Sequence, residues 1–290
     1  MIIIDPAKCT RCGFCIDECP NDVLGLNVDA GTDEIEILYP DQCCICGHCV
    51  AVCPENAINH EEMATQRFED IANIRIPPEN MKSLLLSRRS IRAFEEKAIS
   101  KELLEQLIEI GVHAGTSSNS QTEGFIIIED RNKLAELEQI VIAVLWNAGL
   151  KHLGSTLGVK FARIKYGNEM ARQYIAYHNI IKNRKRNNQL GGLIFRNAPA
   201  VIVIHGIRTN YLAHANCAIA VRNMEIMATS MGLGTCWAGF LTSAAHISRK
   251  IGKYLGISSD RNVYGAFMIG YPKHQYRKII PRRSREVRWI

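Results

Sequence analysis

Hydrophobic and polar positions follow three different rhythms along the chain. In Glu34-Ile35-Glu36-Ile37-Leu38 they alternate with period two, which predicts a short strand, and Asp29-Ala30-Gly31-Thr32 supplies a turn before it. Over residues 101–110 (KELLEQLIEI), Leu103, Leu104, Leu107, Ile108 and Ile110 fall on one helical face, with Ser100 as N-cap. Continuous apolar runs at 124–129 (GFIIIE), 200–205 (AVIVIH) and 263–269 read as buried strands, the second opened by Pro199 and the last stopped by Gly270-Tyr271-Pro272. Residues 216–231 form a long, mostly apolar helix that ends at Gly232. Residues 140–197 form a long helical insertion containing Tyr174, Tyr177 and His178, either a cover over a bound ligand or an ordinary packed helix pair. Helices alternating with a few strands indicate an α+β domain around one central, mainly antiparallel sheet.

This pattern begins only at residue 81. Residues 61–80 shift from acidic to mixed composition and carry Pro77-Pro78, which disfavours helix before it and permits a helix start after it. The expected division is therefore a first domain at 1–64, a linker at 65–80 and a second domain at 81–290. The 290 residues, 47% hydrophobic and 22% charged, exclude a disordered, collagenous or coiled-coil chain. No apolar run reaches the roughly 18 residues that span a bilayer, and MIIIDPAKCT has neither a basic leader nor a cleavage site. The expectation is a cytoplasmic protein with no membrane partner.

Charge and cysteine separate the two domains further. Residues 1–64 hold two basic and twelve acidic side chains, a net of −10, which leaves +16 on the rest of a chain whose total is +6. Such halves attract each other or meet different partners. Nine of the eleven cysteines lie before residue 54, so they mark one local device. Cys9, Cys12, Cys15 and Cys19 with Pro20 read Cys-x2-Cys-x2-Cys-x3-Cys-Pro, and Cys43, Cys46, Cys49 and Cys53 with Pro54 repeat it. Zinc sites usually pair two cysteine knuckles and need no third cysteine in each run.

Residues 1–60 resemble a bacterial two-[4Fe–4S] ferredoxin, matching both motifs at every ligand position. The resemblance implies an exchange of the fourth ligand, with Cys9, Cys12, Cys15 and Cys53 on one cluster and Cys43, Cys46, Cys49 and Cys19 on the other. Cys44 fits no ligand register. His48 has no slot in the motif and reads as a neighbour of the cluster or a surface residue. A module this small buries little core, so the clusters must hold it together.

Four short segments of the second domain carry candidate chemistry. Ser87-Arg88-Arg89-Ser90-Ile91-Arg92-Ala93-Phe94 offers guanidinium forks for a phosphate. Thr116-Ser117-Ser118-Asn119-Ser120-Gln121 is a polar loop able to bond a heterocycle edge, and Gly232-Leu233-Gly234-Thr235-Cys236-Trp237-Ala238-Gly239 reads as a glycine-rich loop open to close ligand approach. Pro281-Arg282-Arg283 is a second basic contact. Singly, each is an ordinary solvated face, turn or helix exit. In this order and spacing they resemble the FMN-dependent nitroreductase family over residues 80–290, so the whole chain looks like a ferredoxin–nitroreductase fusion of the kind found in anaerobes.

That resemblance implies specific roles. Arg88, Arg89 and Ser90 would bind the FMN phosphate and ribityl, and Arg92 would sit by the pyrimidine edge and stabilise the reduced flavin. Ser117, Ser118, Asn119 and Gln121 would reach the flavin from the partner subunit of a homodimer. Ala238 and Gly239 would point backbone N–H groups at the flavin N5 and O4 side, and Arg282, less securely Arg283, would add a late phosphate contact. Gln121-Thr122-Glu123, where many relatives have Gln-Pro-Trp, and Ala238, where some have an acid, depart from the pattern and put selectivity in doubt. Lys182-Asn183-Arg184-Lys185-Arg186 reads as a solvated helix end, and Cys217 and Cys236 as small buried hydrophobes.

The expected function is an oxidoreductase that takes electrons from an external donor (ferredoxin, flavodoxin or a reductase) through the clusters into FMN, which reduces a small electron-poor acceptor such as a nitroaromatic or quinone. Direct reduction of the flavin by NAD(P)H and a non-catalytic redox sensor or electron carrier are the alternatives. Nucleic acid is not an expected partner, because the basic half lacks interleaved aromatics and any reading motif.

Overall fold

The computed structural model describes residues 1–26, 34–63, 68–71 and 75–290, and the turn expected at 29–32 lies outside them. Two compact units emerge. The first comprises Met1–Arg75 together with Thr116–Gln121, and the second comprises Ile76–Gly115 and Thr122–Ile290.

In the first unit, β1 (Ile2–Ile4) pairs antiparallel with β4 (Ile58–His60), and β2 (Leu24–Leu26) with β3 (Ile35–Ile37), the strand expected from the alternation at 34–38. Two short helices, α1 (Phe14–Asp17) and α2 (His48–Val52), follow left-handed glycines Gly13 (φ 79°) and Gly47 (φ 74°). The internal repeat seen in the cysteines extends to the backbone. Arg11 and Ile45 (φ 59° and 54°) and Asp22 and Asn56 (φ 52° and 49°) are left-handed at matching positions. Among the described residues the buried apolar side chains are Ile2, Cys15, Val23, Leu24, Val50, Ala57 and Ile58, a core too small to hold the unit alone.

The second unit is built on a four-stranded sheet of order β5 (Gly124–Ile128), β6 (Ala200–Ile207), β8 (Arg261–Gly270), β7 (Gly234–Trp237), antiparallel at every pairing. Along β6, Val201 and Val203 face one core cluster while Ala200, Ile202 and Ile204 face another. Helices α4 (Lys101–Val112) and α7 (Ala213–Ser230) supply Leu104, Leu107, Val221 and Met224 to the second cluster, and α5 (Arg131–Ala148) and α8 (Gly239–Ile247) supply Leu137, Val141, Leu241 and Ala244 to the first. A sheet covered on both faces needs apolar residues at every position, which explains why its strands read as unbroken runs. Ser100 caps α4 as expected, its side chain accepting from Leu103 N–H at 3.4 Å. Helix α3 (Pro78–Ser87) begins directly after Pro77, three residues before the expected start.

Two expectations change. The glycine-rich stretch 232–239 is not a loop throughout, since β7 occupies its centre and pairs Thr235, Cys236 and Trp237 with Ile269, Met268 and Phe267. Gly234 is required there because a Cβ would collide with the Ile91 side chain and come within 3.0 Å of Pro272 Cγ. The insertion at 140–197 is also partly core. Its first turns belong to α5, which starts at Arg131 behind the N-cap Asp130 and buries Leu134, Leu137 and Val141 against the sheet. Helix α6 (Thr156–Arg186), interrupted at Gly167 (φ 78°), is fastened by packing: His178 stacks on Trp146 with centroids 5.2 Å apart and its Nδ1 lies 2.7 Å from Leu150 O, and Tyr177 meets Phe240 edge-on at 4.7 Å. Helix α9 (Lys250–Tyr254) closes the unit before β8.

Candidate functional site

The eight motif cysteines surround two cavities. One is lined by Cys9, Cys12, Cys15 and Cys53, and the other by Cys19, Cys43, Cys46 and Cys49. The fourth cysteine of each run thus crosses to the other cavity. Among the described residues no three His, Cys, Asp or Glu side chains converge tightly enough to hold one ion. Four thiols ringed around one space, with no tight single-ion group among them, fit a multinuclear cluster. Backbone donors already point at the sulfurs, with Val23 N–H on Cys19 Sγ at 3.3 Å and Ala57 N–H on Cys53 Sγ at 3.2 Å. Burial pushes the Cys49 thiol up to about 11, and Cys15 also upward, so a coordinated cation is what would hold them as thiolates near neutrality. Cys44 lines the second cavity beyond the four and has its thiol raised, first by burial and then by the charge of Cys46.

In the second unit, Gly234 lets the segment after α3 lie against β7. Ser90 forms a parallel bridge to Thr235, and Ile91 N–H donates to Thr235 O at 2.9 Å. This brings Arg92, Ser90 and the unforeseen Arg196 around Cys236, whose thiol is raised by burial while Arg92, Arg196 and the Ser90 hydroxyl pull it down. Helix α8 starts immediately after β7, so its first N–H groups, at Gly239 and Phe240, follow closely on the strand that carries Cys236.

Several of the other expected contact residues have partners of their own. Ala238 N–H donates to Ala266 O at 2.8 Å and continues the sheet, so it is not available to a ligand, whereas Gly239 N–H lies in the first turn of α8. Arg88 turns inward to Glu225 on α7, Nη1 to Oε1 3.7 Å, and the same carboxylate takes Arg222 at 3.6 Å and the Thr235 hydroxyl at 3.1 Å. Arg89 bonds Leu86 O, Arg88 O and Lys278 O, while its buried Nε has no partner among the described residues. Arg282 and Arg283 are exposed on the tail beyond β8. Ser117, Ser118, Asn119 and Gln121 belong to the first unit, where Asn119 Nδ2 donates to Cys44 O at 3.2 Å and Ile45 O at 2.8 Å and Gln121 Nε2 donates to Asn119 Oδ1 at 2.8 Å.

Comparison with known proteins gives the family of each part. Residues 85–271 match the model of the nitroreductase family, and residues 8–57 match a 4Fe-4S dicluster domain. The chain belongs to the nitroreductase family. Among its relatives, an Archaeoglobus fulgidus protein provisionally named an NADH dehydrogenase/NAD(P)H nitroreductase is 18% identical over 196 residues, 66% of this chain and 85% of that one. A Bacteroides fragilis nitroreductase solved with bound FMN is 22% identical over 71% of this chain and 94% of its own, with a TM-score of 0.48. A BluB-like flavoprotein of Clostridium difficile, 16% identical over 71% of this chain and 94% of its own, reaches 0.50 and shares the fold.

Within this member of the family, sequence reasoning passed over Glu225, Arg196 and His60. Glu225 had a signal, as a lone carboxylate inside the mostly apolar run at 216–231. His60 had a weaker one, as the last residue of the repeat's second half. Arg196 lies in a left-handed turn (φ 55°) that no local pattern announces.

Proposed function

We propose that this nitroreductase binds FMN in its second unit and passes electrons from an external one-electron donor through two [4Fe–4S] clusters to the flavin, which reduces an electron-poor acceptor such as a nitroaromatic or quinone. The observation that carries this reading is the division of eight cysteines into two sets of four around separate cavities, in a chain whose larger unit is a nitroreductase domain. When bound, the clusters supply single-electron steps and FMN supplies the exchange between one- and two-electron chemistry.

The chain's own residues position and stabilise. The thiolates fix the iron, and the N–H···S bonds to Cys19 and Cys53 offset negative charge on it. Arg92, with Arg196 nearby, places positive charge beside Cys236 of β7, and this charge would stabilise the polar edge of a reduced flavin bound there. Gly239 N–H in the first turn of α8 adds a donor with no side chain to block approach. The unpartnered Nε of Arg89 is a buried donor facing no protein acceptor, as a phosphate contact requires. Glu225 orients Arg88 and ties it to β7 through Thr235. The working form is a homodimer, in keeping with the family.

Anaerobic stopped flow on the holoprotein tests the electron path. Reduced ferredoxin should bleach the clusters and then the flavin, and added nitroaromatic or quinone should restore the oxidised spectrum. Flavin bleaching by NAD(P)H before any change at the clusters would instead support a second reading, favoured by the name of the Archaeoglobus relative, in which the nicotinamide is the donor.

A further inference from the structure

The two halves of the cysteine unit are alike in backbone and ligands but differ at one sulfur. Cys43 Sγ accepts from Ile45 N–H at 3.4 Å, and His60 Nε2 lies 3.6 Å away from it. The second ring nitrogen fixes the tautomer. Glu62 N–H donates to His60 Nδ1 at 3.2 Å, so Nδ1 carries no proton and Nε2–H is the group aimed at sulfur. The imidazole is only 3% exposed, which shields this bond from competing water.

The internal repeat supplies the comparison. Thirty-four residues separate Cys9 from Cys43, and the same offset matches His60 at the end of β4 with Leu26 at the end of β2. Leucine has no donor. Among the described residues, Cys19 and Cys53 each accept one backbone N–H at equivalent positions. Asn119 also grips the second loop through the carbonyls of Cys44 and Ile45, the latter in a left-handed conformation that a β-branched residue rarely adopts.

We propose that His60 sets the cluster of Cys19, Cys43, Cys46 and Cys49 at the higher potential of the two, so that electrons collect there. This rests on the reading that both cavities hold [4Fe–4S] clusters. A hydrogen bond to a ligand sulfur stabilises the extra negative charge of the reduced cluster and raises its potential. One electron then moves from the cluster of Cys9, Cys12, Cys15 and Cys53, which is oxidised, to the second cluster, which is reduced. No proton or bond changes place. The collecting cluster is the one whose loop is gripped by Thr116–Gln121, the segment that runs directly into Thr122 and β5 of the second unit.

Redox titration of the full-length anaerobic holoprotein, followed by EPR, resolves the two midpoints. His60→Leu, which installs the residue found at the matching position, should lower one midpoint, leave the other unmoved and narrow the gap. His60→Gln keeps an amide N–H within reach of the same sulfur and should restore most of the shift. In wild-type protein labelled with ¹⁵N-histidine, pulsed EPR of the more easily reduced cluster should show a histidine nitrogen coupling that His60→Leu removes. An unchanged gap in a fully loaded His60→Leu variant, or no histidine coupling at the first-reduced cluster of the wild type, overturns the proposal. Iron and sulfide analysis, expected at about eight of each per chain, checks the cluster reading separately.

Discussion

At the scale of single residues, the second unit depends on a few buried charges whose partners are fixed. Glu225 serves Arg88, Arg222 and Thr235 at once from a nearly buried position on α7. Glu225→Gln should therefore destabilise the fold by about 3 kcal/mol, the cost of leaving a partly buried guanidinium without its counter-charge, and denaturant unfolding would measure it. An undiminished midpoint would show that Arg88 finds water instead. His205 behaves in the opposite sense. Arg261 Nε donates to its Nδ1 at 2.8 Å, and burial followed by the Arg261 charge holds its pKa below the ordinary histidine value. The unfolded chain therefore binds this proton more tightly than the native one. The contribution to stability is complete above the unfolded value, about 6.5, and is lost as pH falls through the folded value. NMR titration of the His205 ring should show this depression, and Arg261→Met should move the value back toward normal.

Elements show how side chains from one segment shape another. Glu138 on α5 accepts backbone N–H groups from Gly192 at 2.8 Å, from Phe195 at 3.3 Å and from Ile194, and so latches the turn before β6 that also carries Arg196. Glu138→Ala would leave these donors unsatisfied, at a cost on the order of 3 kcal/mol. Amide exchange across residues 190–197 should accelerate, and unchanged protection would mean that the turn is held by its apolar neighbours Leu193, Ile194 and Phe195 alone. Much of this level was legible in the sequence. The α4 cap, the runs that became β5, β6 and β8, and the two cysteine motifs all express local rules: a capping hydroxyl, a two-sided burial pattern, a fixed ligand spacing. What escaped were relations across long separations. Thr235-Cys236-Trp237 looks like an exit loop until β8 offers it a partner, and the Ala238 N–H is spoken for only because Ala266 O lies opposite. The 116–121 loop was read for its polarity, yet the sequence could not show that Asn119 is bonded to Cys44 and Ile45, some 75 residues away.

For the molecule as a whole, the contrast between the two cores governs what iron loss does. Among the described residues the first unit buries seven hydrophobic residues, whereas the second packs two clusters against both faces of a sheet. Anaerobic chelation should unfold residues 1–63 while the helices of the second unit persist, and limited proteolysis with circular dichroism should show early cleavage there and little loss of total helix. Retention of protease resistance without iron would mean that protein packing suffices. The left-handed pairs Arg11 and Ile45, Gly13 and Gly47, Asp22 and Asn56 carry one further implication. They show that the two cysteine loops follow one backbone course at matching positions, with different polar groups around them. Any substitution made in one copy therefore has a built-in control at the matching site of the other, and the chain can report in a single molecule what a lost or gained side chain does to an otherwise equivalent metal site.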